Sequence, residues 1–393
     1  MRLHYFVTVA LFCYSVYPGY SWIEPVLALS SSASPSPSSQ QQRRVAVVTG
    51  ASRGIGRGIA IELGAQGYIV YCLGRSSRTN DGHSTLPDQR PVAPGLDVTV
   101  ESAAEQVSQQ GGTGIGVVCD LSQDGEIERV LQQVASEQNG RLDLLVCSAY
   151  TTPNNVSLRG NFWEQGMEMW DAVNGVGLRQ VYAACLAAAP MMIETAKQNN
   201  DNTSSSGPSS PPLICLVSSF GGKSYTFNVA YGIGKAAIDR MAVDMSYQLK
   251  KYGVATTALY PGLVQTEANL QMQVDGTWDE ASGNLDLSQG ETPAFSGRAV
   301  AALASLDRPS MMARSGHVEV VAELAQEFGF TDVNGRRPPS IRSLRYLLPN
   351  FVFPQIESSS GKPVPDWIKA NIPDILLPWS VFSSGPPPET NTR

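Results

Sequence analysis

A phenol and an ammonium stand four residues apart in Tyr231-Gly-Ile-Gly-Lys235. On a helix that interval stacks both side chains on one face. A phenol within hydrogen-bond reach of a reacting oxygen can pass it a proton. A free tyrosine has a pKa of about 10, too high for easy exchange at neutral pH, and an adjacent lysine charge is expected to lower it. A second constellation lies far upstream. Val45–Gly56 reads VAVVTGASRGIG, an apolar run and a glycine-rich turn that opens the helical pattern of Ile55, Ile59, Ala60 and Leu63. Strand, turn and helix in that order offer free backbone N–H groups and a positive helix end to a pyrophosphate. Gly50, Ser52, Arg53, Gly54, Ile55 and Gly56 are the expected contacts. A dinucleotide site and a proton-moving pair together point to redox chemistry.

The end of the second strand selects the nicotinamide cofactor. A site for a free ribose 2′-hydroxyl usually carries an acid there, and a site for a 2′-phosphate carries arginine. Here the strand runs Tyr68-Ile-Val-Tyr-Cys-Leu-Gly-Arg75 with no acid at its end. Arg75, with Arg53 inside the turn, favours NADPH, the alternative for Arg75 being a solvated loop residue. Asp120 and Leu121 follow the third strand in Val-Val-Cys-Asp-Leu. Asp120 could accept from the adenine amino group while the Leu121 N–H donates to the ring, or it could cap the helix that follows.

These groups need a scaffold that brings distant strand ends together, and the pattern supplies one. Strand-like runs at Val45–Thr49, Tyr68–Leu73, Gly116–Cys119, Leu142–Cys147, Leu213–Val217, Val254–Tyr260 and Val318–Val321 alternate with helical stretches. The clearest of these are Glu126–Glu137, Met169–Thr195 and Ala230–Lys250. The alternation predicts an α/β fold, one Rossmann-like domain with a doubly wound parallel sheet. Two polar inserts, Ser76–Gly95 and Gln198–Pro212, read as surface loops. With 42% apolar residues the core can be large, and a net charge of −7 without a basic stripe excludes a nucleic-acid partner. Only His4, His83 and His317 are present, so a His-based triad or metal site lacks raw material, and no metal is expected. Cys72, Cys119, Cys147 and Cys215 sit in strand-like runs without CxxC spacing, and are expected to be buried free thiols.

Ahead of the domain, Leu3–Tyr17 is an apolar run after Arg2, and Val26-Leu27-Ala28 resembles a cleavage site. Residues 1–28 read as a signal peptide or signal-anchor directing the chain to the endoplasmic reticulum or endomembranes. A two-part presequence for another organelle is the alternative, because Ser30–Gln42 is Ser-rich, acid-free and followed by Arg43-Arg44. Residues 29–42 form a Ser/Pro/Gln-rich linker that cannot bury a core. Sequons at Asn155 and Asn202 are compatible with lumenal exposure.

These residues resemble the short-chain dehydrogenase/reductase family. TGASRGIG at Thr49–Gly56, Asp120, Ser218-Ser219, Tyr231–Lys235 and Pro261-Gly262-Leu-Val-Gln-Thr266 occur in its order and approximate spacing, over Arg43 to Phe328. A closer likeness, to one group within that family, rests on FWEQGMEMW at Phe162–Trp170, FNVAYGIGK at Phe227–Lys235, PGLVQTE at Pro261–Glu267 and FGFTDVNGRRP at Phe328–Pro338. The resemblance implies an NADPH-dependent carbonyl reductase acting on lipophilic or steroid-like ketones or aldehydes. Tyr231 would be the proton donor, Lys235 would hold the nicotinamide ribose, and Ser219 would steady the substrate oxygen, with Ser218 as the alternative. Ala149 would lie beside the adenosine ribose, and Pro261, Gly262, Val264 and Thr266 along the nicotinamide. Alcohol oxidation with NADP, or a weakly active nucleotide-binding scaffold, are the competing functions.

Two departures from the family pattern stand out. Cys147-Ser148-Ala149-Tyr150 replaces the usual Asn-Asn-Ala-Gly, and Gly177 stands where the family places the Asn that organises a water behind the lysine. Asn174, one turn earlier, is a candidate substitute. Glu267–Pro293, with Met272 and Trp278, is expected to form a lid. Phe162, Trp163 and Trp170 would offer aromatic surface to a substrate or pack their own loops. The C-terminal extension, 329–393, mixes arginines with aromatics, which suits peripheral membrane contact, wrapping of its own domain, or a partner subunit. The family also implies a homo-oligomer.

Overall fold

The computed structural model describes residues 43–78, 84–85, 96–153, 160–201 and 210–382. The leader and linker at 1–42, both sequon asparagines and most of the first insert lie outside these residues, so the expectations placed on them are carried no further.

Seven parallel strands form the central sheet: β1 (Val45–Thr49), β2 (Ile69–Gly74), β3 (Thr113–Val118), β4 (Leu144–Cys147), β5 (Leu213–Val217), β6 (Ala255–Tyr260) and β7 (Val318–Val320). Their order across the sheet is β3-β2-β1-β4-β5-β6-β7. The chain winds outward from β1 in one direction, then crosses back and winds outward from β4. That reversal opens a crevice at the carboxyl ends of β1 and β4, where α/β sheets bind ligands. The expected fold class is the one observed.

Alternation along each strand builds two core layers. Ala46 and Val48 face one side, with α1 (Gly54–Ala65), α2 (Val100–Gln109), and the helix Pro293–Ser305. Val45 and Val47 face the other, with α3 (Glu126–Glu137), the long helical run 166–201, and α6 (Val229–Leu249). The long run consists of α4 (Gly166–Asn174), a π-helical segment (Gly175–Arg179) and α5 (Gln180–Asp201). Gly166–Asn200 is long and apolar enough to cross a membrane by composition alone. Its Val181, Ala184, Ala188 and Met192 are instead buried in the layer against the sheet. All five described cysteines are free and buried, as small apolar fillers.

The C-terminal extension, as far as Phe382, packs onto its own domain. Arg336 donates to the Ser288 and Gly290 carbonyls, Arg337 to those of Gly329 and Phe330, and Arg345 to that of Ile372. Arg342 donates to Glu323 and lies over the Trp379 ring. Leu344, Phe353, Val364, Ile372 and Leu377 form a small core of their own. The mixed basic and aromatic composition therefore serves this intramolecular wrap. Trp379 and Phe382 stack against Phe220, the residue next to Ser219.

Candidate active site

The glycine turn is dictated by close packing. Gly50 has φ +68°, which favours glycine, and a Cβ there would sit 2.8 Å from the Ala149 Cα. At Gly56 a Cβ would come within 2.3 Å of the Gly50 carbonyl oxygen. A side chain at Gly50 would force the turn away from the end of β4, and one at Gly56 would push α1 off the turn, so its N-terminus would no longer face the crevice. Arg53 precedes α1 in extended conformation and reaches the Ser76 hydroxyl at 3.4 Å. A further group already sits at this helix end. The Gly54 N–H donates to Glu267 Oε2 at 2.8 Å. A carboxylate thus satisfies one of the open N–H groups of α1.

At the other end, α6 is capped by Asn228, whose side chain accepts from the Tyr231 N–H at 2.8 Å. Phe227 just before it has φ +60°, a strained backbone for a bulky residue, and its ring meets Tyr231 edge to face at 5.1 Å. The turn after β5 closes on this helix because its glycines leave room. A Cβ on Gly221 would sit 2.5 Å from the Tyr231 ring, and one on Gly222 would sit 2.5 Å from an Asp239 oxygen.

Within this packing the Tyr231 hydroxyl donates to Ser219 Oγ at 2.7 Å, and the Gly221 N–H donates to the same oxygen at 3.0 Å. With two bonds accepted, the Ser219 hydroxyl keeps its own proton to donate. Ser218 turns away, its hydroxyl donating to the Lys235 carbonyl at 3.2 Å. The choice between the two serines is thereby geometric, and it is Ser219 that faces Tyr231. The Lys235 ammonium donates to the Val217 carbonyl at 3.0 Å and lies 5.8 Å from the centre of the Tyr231 ring.

Burial governs the electrostatics here. It pushes the Tyr231 phenol up to about 12, with the Ser219 hydrogen bond a smaller opposing effect. Burial also pulls the Lys235 ammonium down to about 8, with Asp239 acting in the other direction. The expected lowering of the phenol by Lys235 is therefore not the net direction. Removing the phenolate from water sets the direction, and the ammonium is directed at a carbonyl.

One cavity of about 490 Å³ joins the two ends. It is lined by Gly50, Ser52, Arg53, Gly54, Ile55, Gly56, Arg75, Asp120, Leu121, Ala149, Ser219, Tyr231, Lys235, Pro261, Gly262, Val264 and Thr266. Every sequence-derived site residue therefore meets in one place. Asp120 does not cap α3. Gly125 occupies that position with φ +86°, while Asp120 accepts from the Ser122 N–H and hydroxyl. From the segment after Thr266, Met272 and Trp278 reach the cavity, and the Trp278 indole donates to the Leu285 carbonyl at 2.6 Å. Phe162, Trp163 and Trp170 are exposed and line no part of it. Tyr150 and Phe227 supply aromatic surface instead.

Asn174 packs against α6 but does not reach the lysine. Its amide donates to the Ala230 carbonyl at 3.3 Å, and its oxygen faces Gly234. Glu267, Asp239, Phe227 and Tyr150 are site neighbours that motif reading missed. The four-residue spacing of Tyr231, Lys235 and Asp239 was a visible signal for one of them.

The glycine turn at a switch point, with a tyrosine and lysine across the crevice, defines an NAD(P)-dependent oxidoreductase site. The short chain dehydrogenase family matches residues 44–275, and the chain belongs to that family. Dehydrogenase/reductase SDR family member 1 of Mus musculus is 38% identical over 339 residues, covering 85% of this chain and 93% of its own. The Homo sapiens protein of the same name is 37% identical over 313 residues, covering 78% and 88%. Among solved structures, angucycline C-6 ketoreductase LanV with bound NADP superposes with a TM-score of 0.52. It is 25% identical, covering 71% of this chain and 93% of that one.

Proposed function

We propose that the protein is an NADPH-dependent carbonyl reductase acting on lipophilic ketones or aldehydes. The observation that carries this is the Tyr231–Ser219 hydrogen bond beside Lys235, inside a cavity whose far end holds a glycine turn and two arginines. The residues present fit a phosphorylated dinucleotide. Backbone N–H groups at the start of α1 would meet the pyrophosphate, and Arg53, Arg75 and Ser76 would meet a 2′-phosphate. The NADP-bound ketoreductase neighbour supports the same cofactor.

When bound, a reduced nicotinamide supplies a hydride to the carbonyl carbon. The C=O π electrons then collect on the oxygen. Ser219 donates a hydrogen bond to that oxygen and fixes its position. Tyr231 transfers its phenolic proton there and is left as phenolate. A phenol held near 12 stays protonated throughout the neutral range, so the donor is always loaded. Lys235 offers a positive charge to the phenolate formed in the step, when that charge matters most. Tyr150, Phe227, Trp278 and Met272 exclude water and give the cavity an apolar wall. A phosphate held at the start of α1 would compete with Glu267 for the Gly54 N–H.

The test is consumption of NADPH and of NADH by the 43–393 protein with a panel of lipophilic ketones. Turnover at least tenfold more efficient with NADPH is expected. Turnover with NADH alone, or with no carbonyl substrate, would overturn the reading.

A further inference from the structure

Gly177 stands where the family places an asparagine, and Tyr150 stands where it places a glycine. The structure joins these two departures. A Cβ on Gly177 would sit 3.2 Å from Tyr150 Cδ2 and 3.6 Å from Cε2, so the tyrosine ring fills the space beside that helix position. The same ring lies 5.3 Å from the Lys235 ammonium and meets Tyr231 edge to face at 5.8 Å. Met169, Val173 and Ala230 hold it in place. Gly177 lies in the π-helical segment, an irregularity that often marks a functional site. Asn174, the other candidate for the missing asparagine, is engaged with Ala230.

We propose that Tyr150 is the positioning residue for Lys235 in this protein, its ring taking over the place of the family's asparagine by a cation–π contact. An aromatic face attracts an ammonium, and more strongly when both are withdrawn from water. Lys235 is packed by Tyr231 on its own helix, Asp239 one turn further, the Val217 carbonyl of β5 and the Tyr150 ring from the loop after β4. Lys223 faces Asp239 from the turn after β5. One Asp239 oxygen bonds the Tyr260 hydroxyl, and the Tyr150 ring meets the ammonium at 5.3 Å from the loop after β4. The exchange is one of volume as well as charge. With a large ring at 150, any side chain at 177 would press on that ring, its Cβ 3.2 Å from Cδ2.

This inference rests on the proposed role of Tyr231 and Lys235, and the experiment separates the two. The first arm needs neither cofactor nor substrate. The melting temperature is measured for Tyr150→Leu, Lys235→Met and the double variant. Tyr150→Leu is expected to cost clearly less when Lys235 is already Met; equal losses in both backgrounds would mean that the ring only packs, and would overturn the proposal. The second arm follows NADPH-linked reduction against pH. Losing the ring disfavours the charged lysine, so Tyr150→Leu moves the alkaline limb about 0.5–1 pH unit lower, while Tyr150→Phe leaves it in place. An unmoved limb in Tyr150→Leu would also overturn it. Gly177→Asn should lose at least tenfold in kcat, and Tyr150→Gly should recover most of that loss in the same chain. Failure of wild-type turnover would strike the function reading alone, since the thermal cycle still decides the role of Tyr150.

Discussion

At the glycine-turn end of the cavity, the groups that would meet a ligand are backbone N–H groups at the start of α1 and two arginines at its edge. At the Tyr231 end they are side chains of α6 and of the turn after β5, with Tyr231 bonded to Ser219 and the Tyr231 and Lys235 side chains buried side by side. The first end is set by backbone shape, with Glu267 accepting from the Gly54 N–H. The second stores its chemistry in burial, which holds the phenol up and the ammonium down. The comparison teaches that the two ends fail differently. Damage at the first shows as lost affinity, and damage at the second as lost turnover.

Lys235→Met tests whether the ends are separable, because the family resemblance gives the lysine a second role on the nicotinamide ribose. It is expected to lower kcat by about 10²–10⁴, the usual range for disabling a proton transfer, here by removing the charge offered to the Tyr231 phenolate, and to raise the cofactor KM if that second role holds. A loss confined to KM would break the division. Arg53→Ala and Arg75→Ala sharpen it from the other side. A charge-assisted hydrogen bond contributes about 1.5–3 kcal/mol, so each should raise the KM for NADPH by about ten- to a hundredfold. KM for NADH and kcat should stay nearly unchanged, and steady-state kinetics with both cofactors checks this.

The pH profile reads the catalytic end alone. Lys235 is charged below about 8 and neutral above it, since burial favours the uncharged form. Tyr231 remains protonated over the same range. Reduction should therefore fall about tenfold per pH unit above pH 8, with no matching limb from the tyrosine. The same lowered lysine makes the native state bind fewer protons than the unfolded chain between pH 8 and 10.5. Its contribution to stability accordingly rises with pH across that window. The smallest effect belongs to Glu267→Gln, which keeps an acceptor for the Gly54 N–H but removes a charge from a phosphate site. NADPH should bind about two- to fivefold tighter by fluorescence titration, with kcat unaltered.

Much of this site was legible because its parts are local patterns. The strand–turn–helix of Val45–Gly56 and the four-residue step from Tyr231 to Lys235 each declare themselves within a few residues. The alternation of elements then fixes which strand ends converge. The missed features need distances between segments far apart in the chain. Glu267 reaches Gly54 across 213 positions. Tyr150 became meaningful only when its ring was found against Gly177 and Lys235. The direction of the Tyr231 shift went astray for a related reason. A neighbouring lysine is visible in sequence, but the depth of burial that outweighs it is not. The aromatics Phe162, Trp163 and Trp170 misled because a cluster of large apolar residues does not state which way it faces.

The most direct test is hydride transfer by Tyr231→Phe set beside its NADPH affinity. The variant keeps the ring that Phe227 and Tyr150 pack against and removes only the hydroxyl, with its proton and its bond to Ser219. The account predicts an unchanged Kd for NADPH by fluorescence titration, within about twofold, with single-turnover reduction slowed at least about a hundredfold. Reduction at near wild-type rate would show that the proton comes from elsewhere, and would contradict the central role given to the Tyr231–Ser219–Lys235 cluster.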